Sequence, residues 1–439
     1  MGGVFGTVSR NDCIKDLFYG IDYHFHLGTK RGGMAVWNGN QFVRTIHSIE
    51  SDYFRSKFEP DLIKFNGNLG IGVISDSDSQ PLVIGSHLGT FALVTVARIT
   101  NMPALTEQAY GRHQQFSEST SGAINPTELL AALICQADTF EDGIRQAQEQ
   151  IQGSCSMLLL TKDGIYAARD RRGRTPLIIG AKAEGFAVAS ESCAFPNLGF
   201  ETRQEIGPGE IVFLSPDGIE QRRPPLDAMQ ICSFLWVYYG YPASSYEGIN
   251  VESVRYRCGC ALAKNDDIVP DYAAGIPDSG IGHALGYAHC KQIPYKRPYV
   301  KYTPTWPRSF MPQNQKVRDL VANMKLIPLK SLIADQRILF CDDSIVRGTQ
   351  LKDNVEDLFA AGAAEVHMRI ACPTLIFPCD FLNFSTSRST LDLAGRRAIT
   401  AIENTEEPSA DIMQEYATAG TARNQAMVEK IRDRLHLTS

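Results

Sequence analysis

The amino-terminal half of the chain alternates short apolar runs with turn-forming residues. Between Gly67 and Leu214 these runs are GIGVIS, PLVIG, FALVTVA, SMLLL, GIYAA, PLIIG, FAVAS and EIVFL. Short apolar runs bounded by Gly, Pro, Asp or Ser predict β-strands. Two segments between them, 126–137 and 140–151, have helical spacing, and Pro126 suits the first turn of a helix. We therefore expect sheets covered by helices in this half.

The pattern changes at QRRPPLD, residues 221–227, where charges and paired prolines disfavour helix and strand alike. Beyond it, strand, glycine-bearing turn and helix follow one another in YAAGIPDSGIGHALGYAHC and again in RILFCDDSIVRGTQLKDNVEDLFAAGAAEVHMRIAC. This order predicts βαβ units around a parallel sheet. We expect one domain at residues 1–224 and a second at 225–404, followed by a helix and exposed tail at 405–439.

The composition is that of a globular protein without a general affinity for nucleic acid or membranes. Of the 439 residues 44% are hydrophobic and 21% are charged, and the formal net charge is -6. A net negative charge offers no basic field to nucleic acid or anionic lipid. No apolar run reaches the ~20 residues that span a bilayer, and residues 1–10 have no basic and apolar leader. We expect a cytoplasmic protein.

The 11 cysteines are odd in number and have no framework spacing, which predicts reduced thiols. Cys155, Cys193 and Cys341 stand inside apolar runs and are predicted to be buried. Cys258 and Cys260 form a C-x-C that could bind metal, although no second close pair accompanies it.

The segment ILFCDDSIVRGTQL, residues 338–351, carries the strongest chemical signal. Its apolar residues predict a buried strand that ends at Asp342 and Asp343, at the edge of a parallel sheet where ligands bind. Carboxylates accept hydrogen bonds from paired sugar hydroxyls. The groups after them suit a phosphate near a helix N-terminus, and they are Ser344, Arg347, Gly348 and Thr349. The alternative is an acidic turn in which Thr349 caps a helix from Lys352.

This segment resembles the signature of type I phosphoribosyltransferases that binds 5-phosphoribosyl-1-pyrophosphate (PRPP), and is most similar to that of amidophosphoribosyltransferases. The resemblance implies that Asp342 and Asp343 are catalytic, hold the ribose hydroxyls and lie at the Mg²⁺ site. It also implies that Ser344, Arg347, Gly348 and Thr349 hold the 5-phosphate.

Two further segments extend the resemblance. IPDSGIGHALGYA, at 276–288, is similar to the pyrophosphate loop of the family, with Asp278, Ser279 and Gly280 against the diphosphate; a Pro-Asp turn that caps a helix is the alternative. VKYTPTWPRSF, at 300–310, resembles the loop that closes over the substrate, with Lys301 and Arg308 as diphosphate clamps. It departs from the family by about one inserted residue and by two prolines, which puts closure of the loop in question.

The amino-terminal half resembles class II glutamine amidotransferases in MGGVFG, HLGTKRGGMAV, GSCSMLLL, ARDRRGRTPLIIG and VASESCAFPNLGFE. The resemblance implies an α/β protein, with an N-terminal nucleophile-type αββα sandwich followed by a type I phosphoribosyltransferase parallel-sheet domain.

The glutaminase chemistry of that family is missing at four sites. The family needs a cysteine at position two as nucleophile, where this chain has Gly2. Ser75 stands in place of an Arg for the glutamine carboxylate, Val96 and Ala97 in place of the oxyanion Asn-Gly, and Pro126 in place of an acid. We expect this domain to be inactive as a glutaminase.

Other features of the family are partly present. Arg31 and Gly32 match its R-G turn, although an Arg there can also anchor the fold, and Cys13 is an alternative nucleophile. One branch binds a 4Fe-4S cluster, and Cys232 and Cys379 match two of its ligands. The terminal C-x-x-C is absent, so truncation, loss of the cluster and a plain core role all stay open, and we expect no cluster.

The expected function is synthesis of phosphoribosylamine and pyrophosphate from PRPP and ammonia in purine biosynthesis, with Mg²⁺ as cofactor. Ammonia is expected to be free or supplied by a partner glutaminase, and the family implies a homo-oligomer and inhibition by purine nucleotides. The alternative is a non-catalytic sensor of PRPP or nucleotides whose amino-terminal domain mediates interactions.

Overall fold

The computed structural model describes residues 2–76, 78–117, 119–120, 123–264, 266–302, 326–381 and 389–439. Its strands are β1 Gly2–Ser9, β2 Arg31–Trp37, β3 Phe42–Ser48, β4 Leu69–Ser75, β5 Leu82–Ser86, β6 Gly89–Ile99, β7 Ser119–Thr120, β8 Ala123–Ile124, β9 Gly153–Leu160, β10 Ile165–Ala168, β11 Ile178–Lys182, β12 Gly185–Ala189, β13 Glu201–Glu205, β14 Ile211–Ser215, β15 Gly218–Arg223, β16 Ser245–Tyr246, β17 Ile249–Asn250, β18 Tyr272–Gly275, β19 Tyr299–Lys301, β20 Leu326–Pro328, β21 Arg337–Asp342 and β22 Glu365–Ile370. Its α-helices are α1 Ile14–Asp22, α2 Phe54–Phe58, α3 Met102–Gly111, α4 Pro126–Ile134, α5 Phe140–Gln150, α6 Val251–Lys264, α7 Gly280–Lys291, α8 Lys330–Ile333, α9 Thr349–Ala360, α10 Ala394–Glu403, α11 Ala410–Ala417 and α12 Ala422–Arg434.

The predicted strands and helices of the amino-terminal half are confirmed. Every apolar run between Gly67 and Leu214 contains a strand, and the two segments with helical spacing form α4 and α5. Helix α4 begins at Pro126 because Asn125, just before it, accepts a hydrogen bond from the backbone N–H of Thr127 at 2.9 Å.

Two antiparallel sheets form the centre of this half. One has the order β13-β11-β12-β1-β4-β2-β3 and the other β15-β14-β10-β9-β6-β5. Side chains alternate across each strand. On β1, Val4 faces the core between the sheets and Phe5 faces the outer core with α1 and α2. On β6, Val94 faces the inner core and Leu93 faces the outer core with α4 and α5. The result is four layers in the order α, β, β, α.

The carboxy-terminal half contains the predicted parallel sheet, with strand order β18-β21-β22. Register pairs Gly275 with Cys341 and Asp342 with Ile370, so the carboxyl ends of the three strands share one edge. Helix α7 follows β18, and helix α9 connects β21 to β22. The predicted βαβ arrangement is confirmed.

Three predictions about local structure were wrong. Residues 221–223 belong to β15, because β14 offers them hydrogen-bonding partners. The thiols are not all reduced, since Cys260 on α6 and Cys290 on α7 form a disulfide. The end of the chain is no loose tail: Thr438 N–H donates to the Val366 carbonyl at 2.8 Å, and Ser439 accepts from Met368 N–H at 2.9 Å. The domain bounds 1–224, 225–404 and 405–439 stay a prediction.

Burial of the cysteines predicted to be small core residues is confirmed. Cys155, Cys193 and Cys341 are buried. Among the helices of the described residues, none is long and apolar enough to cross a bilayer.

A buried carboxylate joins the amino-terminal sheets to the segment before α6. Glu191 accepts hydrogen bonds from Tyr246 Oη at 2.6 Å and Ser244 Oγ at 3.1 Å, and its carboxylate lies 3.0 Å from His26 Nε2. Burial by itself would raise the pKa of Glu191, but the charge and hydrogen bond of His26 and the Tyr246 hydroxyl lower it to about 2. The ionised carboxylate is thus fully satisfied, and it holds residues 244–246 against the amino-terminal half.

We expect Glu191→Gln to destabilise the protein by about 3 kcal/mol at neutral pH, because a buried, paired charge is replaced by a neutral amide. A carboxyl group whose pKa is lowered on folding stabilises the protein at pH values above its ordinary pKa of 4.5. This stabilisation is lost as the pH falls towards the folded-state pKa of about 2. Stability is measured by urea unfolding at a series of pH values. The Glu191→Gln variant should have a lower midpoint than the unmodified protein at neutral pH, and it should lose less stability between pH 4.5 and 2. Glu201→Gln, on an exposed position of β13, is the matched control; an equal effect of both changes would contradict the role of Glu191.

Candidate functional site

Strand β21 delivers the acidic pair to the shared edge of the parallel sheet. The strand ends at Asp342, and helix α9 begins at Thr349. Gly348 precedes the helix with a φ of 75°, in the left-handed region that favours glycine. The alternative in which Thr349 caps a helix from Lys352 is therefore wrong. Residues 343–348 form a short loop between the strand and the N-terminus of α9.

The two carboxylates occupy different environments. Asp343 is only 4% exposed and accepts a hydrogen bond from Ser344 Oγ at 2.7 Å, whereas Asp342 is partly exposed. Although part of the residue is exposed, desolvation of its carboxylate and the neighbouring charge of Asp343 raise the pKa of Asp342 well above its ordinary value. An uncompensated acidic pair of this kind favours binding of a cation or of hydroxyl donors.

The loop before α7 lies directly against the end of β21. The Ile276 N–H donates to the Cys341 carbonyl at 3.1 Å. A Cβ added to Gly280 would lie 2.3 Å from that carbonyl oxygen, so only glycine allows this approach. The predicted pyrophosphate residues Asp278, Ser279 and Gly280 therefore lie beside Asp342.

The alternative role of this loop as a simple side-chain cap receives no support. Ser279 occupies the position before α7, but its side chain makes no capping hydrogen bond. The N-terminus of α7 lies at the same edge of the sheet as the acidic pair.

Lys301 ends strand β19 and reaches the pyrophosphate loop. Its ammonium group contacts the Asp278 carboxylate, and both side chains are substantially exposed. Arg308 and the two prolines of the predicted closing loop lie outside the described residues. The structure thus brings one of the two predicted clamps to the site.

Arg347 contacts Asp392 and helix α10. Its guanidinium lies 3.8 Å from Asp392, and its carbonyl accepts a hydrogen bond from Arg397 on α10. The backbone of Gly348 and Thr349 remains at the start of α9, where helix N–H groups attract anions.

Two residues near the acidic pair were missed by the sequence interpretation. Arg255 of α6 is 3% exposed and donates to the carbonyls of Trp236, Tyr238 and Gly240. Burial lowers the pKa of Arg255, and the negative charge of Asp343 partly opposes this shift. His283 of α7 lies in the same region. Arg255 stands outside every motif, and His283 was quoted within the segment at 276–288 without a role, because the position of both depends on the packing of α6 on α7.

The positions predicted to be glutaminase remnants lie on neighbouring strands of one sheet. Strand β4 lies between β1 and β2, and its Ser75 pairs with Gly2 on one side and with Arg31 on the other. Arg31 and Gly32 belong to β2, so the prediction of a turn there was wrong. A Cβ added to Gly2 would lie 2.5 Å from the Ile74 carbonyl oxygen, closer than a side chain tolerates.

The other altered positions also serve as structure. Val96 packs in the core between the sheets, Ala97 pairs with Cys155 in β9, and Pro126 begins α4. Cys13 is fully buried before α1, and burial together with nearby aspartates raises its thiol pKa far above the ordinary value. A buried, protonated thiol is a poor nucleophile, so the structure gives Cys13 no catalytic role.

The cysteines at the family's cluster positions do not form a metal site. Burial and the charge of Cys379 raise the pKa of Cys232, and both residues are half-buried. Cys260 is tied to Cys290 in the disulfide. Within the described ranges, no group of three or more His, Cys, Asp or Glu could hold a metal ion. Four thiolate ligands are needed for a 4Fe-4S cluster, and the residues present do not fit one.

Comparison with known proteins agrees with both halves. A family model described as a glutamine amidotransferase domain matches residues 67–197. An amidophosphoribosyltransferase of Methanocaldococcus jannaschii is 31% identical, over 93% of this chain and 89% of that protein. An amidophosphoribosyltransferase of Bacillus subtilis is 30% identical, over 95% of this chain and 88% of that protein.

Solved structures are similar over the same length. The glutamine PRPP amidotransferase of B. subtilis, complexed with ADP and GMP, has a TM-score of 0.80 at 27% identity and covers 98% of this chain and 92% of its own. A structure described as the allosteric regulatory enzyme of purine biosynthesis also has a TM-score of 0.80, at 28% identity. The match covers 98% of this chain and 91% of that one. The predicted αββα sandwich followed by a parallel-sheet domain is thereby confirmed.

Anaerobically purified protein should contain substoichiometric iron, because the described cysteines offer no four-thiolate site. Iron and acid-labile sulfide are measured together, with Cys232→Ser as a variant expected to leave both unchanged. About four iron atoms per chain, lost in Cys232→Ser, would contradict this expectation.

Proposed function

This chain belongs to the amidophosphoribosyltransferase family of transferases, and on that premise we propose that it forms phosphoribosylamine and pyrophosphate from PRPP and ammonia. The choice of ammonia rather than glutamine goes beyond the family name and rests on the residues of the amino-terminal half.

One observation carries the proposal: the Asp342–Asp343 pair and the loop of Asp278 to Gly280 lie together at one edge of the parallel sheet. Their contact depends on the approach of Gly280 to the Cys341 carbonyl. Two helices, α7 and α9, begin at this edge. Acceptors for sugar hydroxyls and positive helix ends for phosphates are therefore available side by side.

In this proposal the acidic pair holds the 2- and 3-hydroxyls of the ribose. Asp278, Ser279, Gly280 and Lys301 contact the diphosphate, with Arg308 as a second clamp. The 5-phosphate is bound by Ser344, Arg347, Gly348 and Thr349. Binding requires Arg347 to turn from Asp392, and it requires Lys301 to exchange the Asp278 carboxylate for the substrate.

The reaction breaks the bond between the anomeric carbon and the diphosphate oxygen as the ammonia nitrogen forms a bond to the same carbon. The nitrogen then loses a proton, and pyrophosphate departs with the bonding electrons. Positive charge develops on the ribose beside Asp342 and Asp343, while Lys301 balances the leaving group. The protein mainly orients the substrate and stabilises charge.

The acidic pair also fits Mg²⁺, which prefers hard oxygen ligands from one or two carboxylates together with substrate phosphates. Magnesium bound there with the diphosphate would neutralise charge on the leaving group. The raised pKa of Asp342 supports this fit, since a nearby cation would relieve its repulsion from Asp343.

Loss of glutamine chemistry is supported by the geometry around Gly2. The position has no nucleophilic side chain, and the Ile74 carbonyl occupies the space next to it. Ser75, beside it, is too short to replace an arginine clamp. Ammonia would then come from solution or from a partner glutaminase. A homo-oligomer and inhibition by purine nucleotides are further parts of the proposal, the latter supported by the ADP and GMP in the B. subtilis structure.

We expect Asp342→Ala to lower kcat/KM for PRPP by about tenfold to a hundredfold, because hydrogen bonds from the ribose hydroxyls to a charged acceptor are lost. The assay is pyrophosphate release with saturating ammonium. Asp357→Ala, exposed on α9 at some distance from the acidic pair, is the control and should leave kcat/KM unchanged. Equal rates for Asp342→Ala and the unmodified protein would refute the site, and binding of PRPP without pyrophosphate release by the unmodified protein would favour the sensor.

Glutamine should not support the reaction, and Gly2→Cys should not restore it. Removing one oxyanion donor alone costs roughly two to three orders of magnitude in rate, and the carboxylate clamp is replaced as well, so the thiol that Gly2→Cys supplies is not sufficient. Formation of glutamate and of phosphoribosylamine is measured for the unmodified protein and for Gly2→Cys, each with glutamine or with ammonium as the nitrogen donor. Gly2→Ala is the steric control, since it also places a Cβ against Ile74 but adds no thiol. Robust glutamate formation by either the unmodified protein or the Gly2→Cys variant would defeat the proposal.

A further inference from the structure

A disulfide fastens the end of α7 to α6. It joins Cys260 of α6 to Cys290 in the last turn of α7, with the Cα atoms 5.2 Å apart. Cys290 is exposed and Cys260 is half-buried, so an external thiol can approach the bond from the Cys290 side. Of the C-x-C pair at 258 and 260, Cys258 stays a free thiol, and the proposed function uses neither residue.

The two helices pack backbone to backbone between the disulfide and the pyrophosphate loop. A Cβ added to Gly286 of α7 would lie 1.9 Å from the Tyr256 carbonyl oxygen, and one added to Gly259 of α6 would lie 1.8 Å from the His283 carbonyl oxygen. Glycine allows these approaches because it has no side chain. At both points the helices lack the interlocking side chains that fix a packing angle, so the covalent bond at the end of α7 restrains that angle.

Helix α7 connects the disulfide to the proposed diphosphate site. Its first residue, Gly280, belongs to the loop proposed to contact the diphosphate, and Cys290 precedes its last residue, Lys291. At a rise of about 1.5 Å per residue, Gly280 and Cys290 lie about 15 Å apart on one rigid element. A change of tilt at Cys290 therefore moves the N-terminal N–H groups of α7, whose direction determines how well they bind an anion.

The reduced state has a place for the released thiol of α6. Cys260 Sγ lies 3.2 Å from the Gly286 carbonyl oxygen, which can accept the hydrogen of a free thiol. Reduction thus leaves Cys260 with a partner on α7, while the exposed Cys290 is solvated by water. The bond can therefore break and form again without unfolding of either helix.

We propose that the Cys260–Cys290 disulfide is a site of thiol–disulfide exchange with a dithiol reductant, and that its redox state sets the orientation of α7 at the pyrophosphate loop. A thiolate of the dithiol attacks Cys290 Sγ, and Cys260 leaves with the electrons of the broken S–S bond and takes up a proton. The second thiol of the reductant then releases Cys290 as a thiol and closes its own disulfide. Two electrons and two protons pass from the dithiol to the protein. The consequence for PRPP rests on the proposed function, in which the loop of Asp278 to Gly280 binds the diphosphate.

The first experiment labels accessible thiols of the full chain with iodoacetamide, before and after incubation with dithiothreitol under native conditions. Peptide mass spectrometry locates the labels. We expect Cys290 to be labelled only after reduction, and we expect glutathione disulfide to close the bond again once dithiothreitol is removed. Cys155 and Cys341 are buried and should stay unlabelled throughout, as a control for an intact fold. Labelling of Cys290 before reduction, or its absence afterwards, would overturn the exchange site.

The second experiment compares the oxidised and the reduced protein. Hydrogen exchange of the backbone amides at 276–288 should become faster on reduction. The KM for PRPP, from pyrophosphate release with saturating ammonium, should rise about fivefold or more, the lower end of typical coupling between two sites. A double variant, Cys260→Ser with Cys290→Ser, should match the reduced protein with and without dithiothreitol. Cys258→Ser is the matched control, because it removes a thiol of α6 outside the disulfide, and it should respond as the unmodified protein does.

The outcomes separate this proposal from the proposed function. Unchanged hydrogen exchange on reduction, or a double variant that still responds to dithiothreitol, would overturn the role of the disulfide in orienting α7. Faster exchange beside an unchanged KM would overturn its coupling to the diphosphate. Reversible labelling and faster exchange in a protein that neither binds nor cleaves PRPP would support the redox site and reject the proposed function.

Discussion

The close contact between the loop before α7 and the end of β21 determines the geometry of the candidate site. A Cβ on Gly280 would lie 2.3 Å from the Cys341 carbonyl oxygen, and one on Gly275 would lie 2.6 Å from the Gly280 carbonyl oxygen. Because both positions are glycine, the two loops at the sheet edge meet without an intervening side chain. A larger residue would separate Asp278 from Asp342, which stands at the end of the adjacent strand.

The amino-terminal half contributes to this geometry through a continuous set of contacts. Glu191 holds residues 244–246, and this segment leads into α6. Arg255 of α6 is buried near the acidic pair and donates hydrogen bonds to the carbonyls of Trp236, Tyr238 and Gly240, which precede residues 244–246 in the chain. The packing of the amino-terminal half therefore restrains the helix beside Asp343.

Charge is distributed unevenly around the loop from Asp342 to Thr349. The acidic pair lies at its start, and cationic side chains of α10 and α12 line a cavity behind its end. On each side, burial and a neighbouring like charge oppose ionisation. They raise the pKa of Asp342 and lower the pKa of Arg397.

The sequence by itself determined the features that depend on neighbouring residues. The apolar runs specified the strands, Asn125 and Pro126 the start of α4, and the DDSIVRGT segment the strand and loop of the acidic pair. Contacts between distant residues were decided by the tertiary structure, because they require strands and helices to pack first. Examples are Ser75 between Gly2 and Arg31, and Lys301 on Asp278.

The wrong predictions have the same cause. Residues 221–223 form a strand because β14 lies beside them, despite their unfavourable local composition. Cys260 and Cys290 form a disulfide because the packing of α6 on α7 brings their Cα atoms to 5.2 Å. Local propensity acts over a few residues, whereas pairing and burial act across the whole fold.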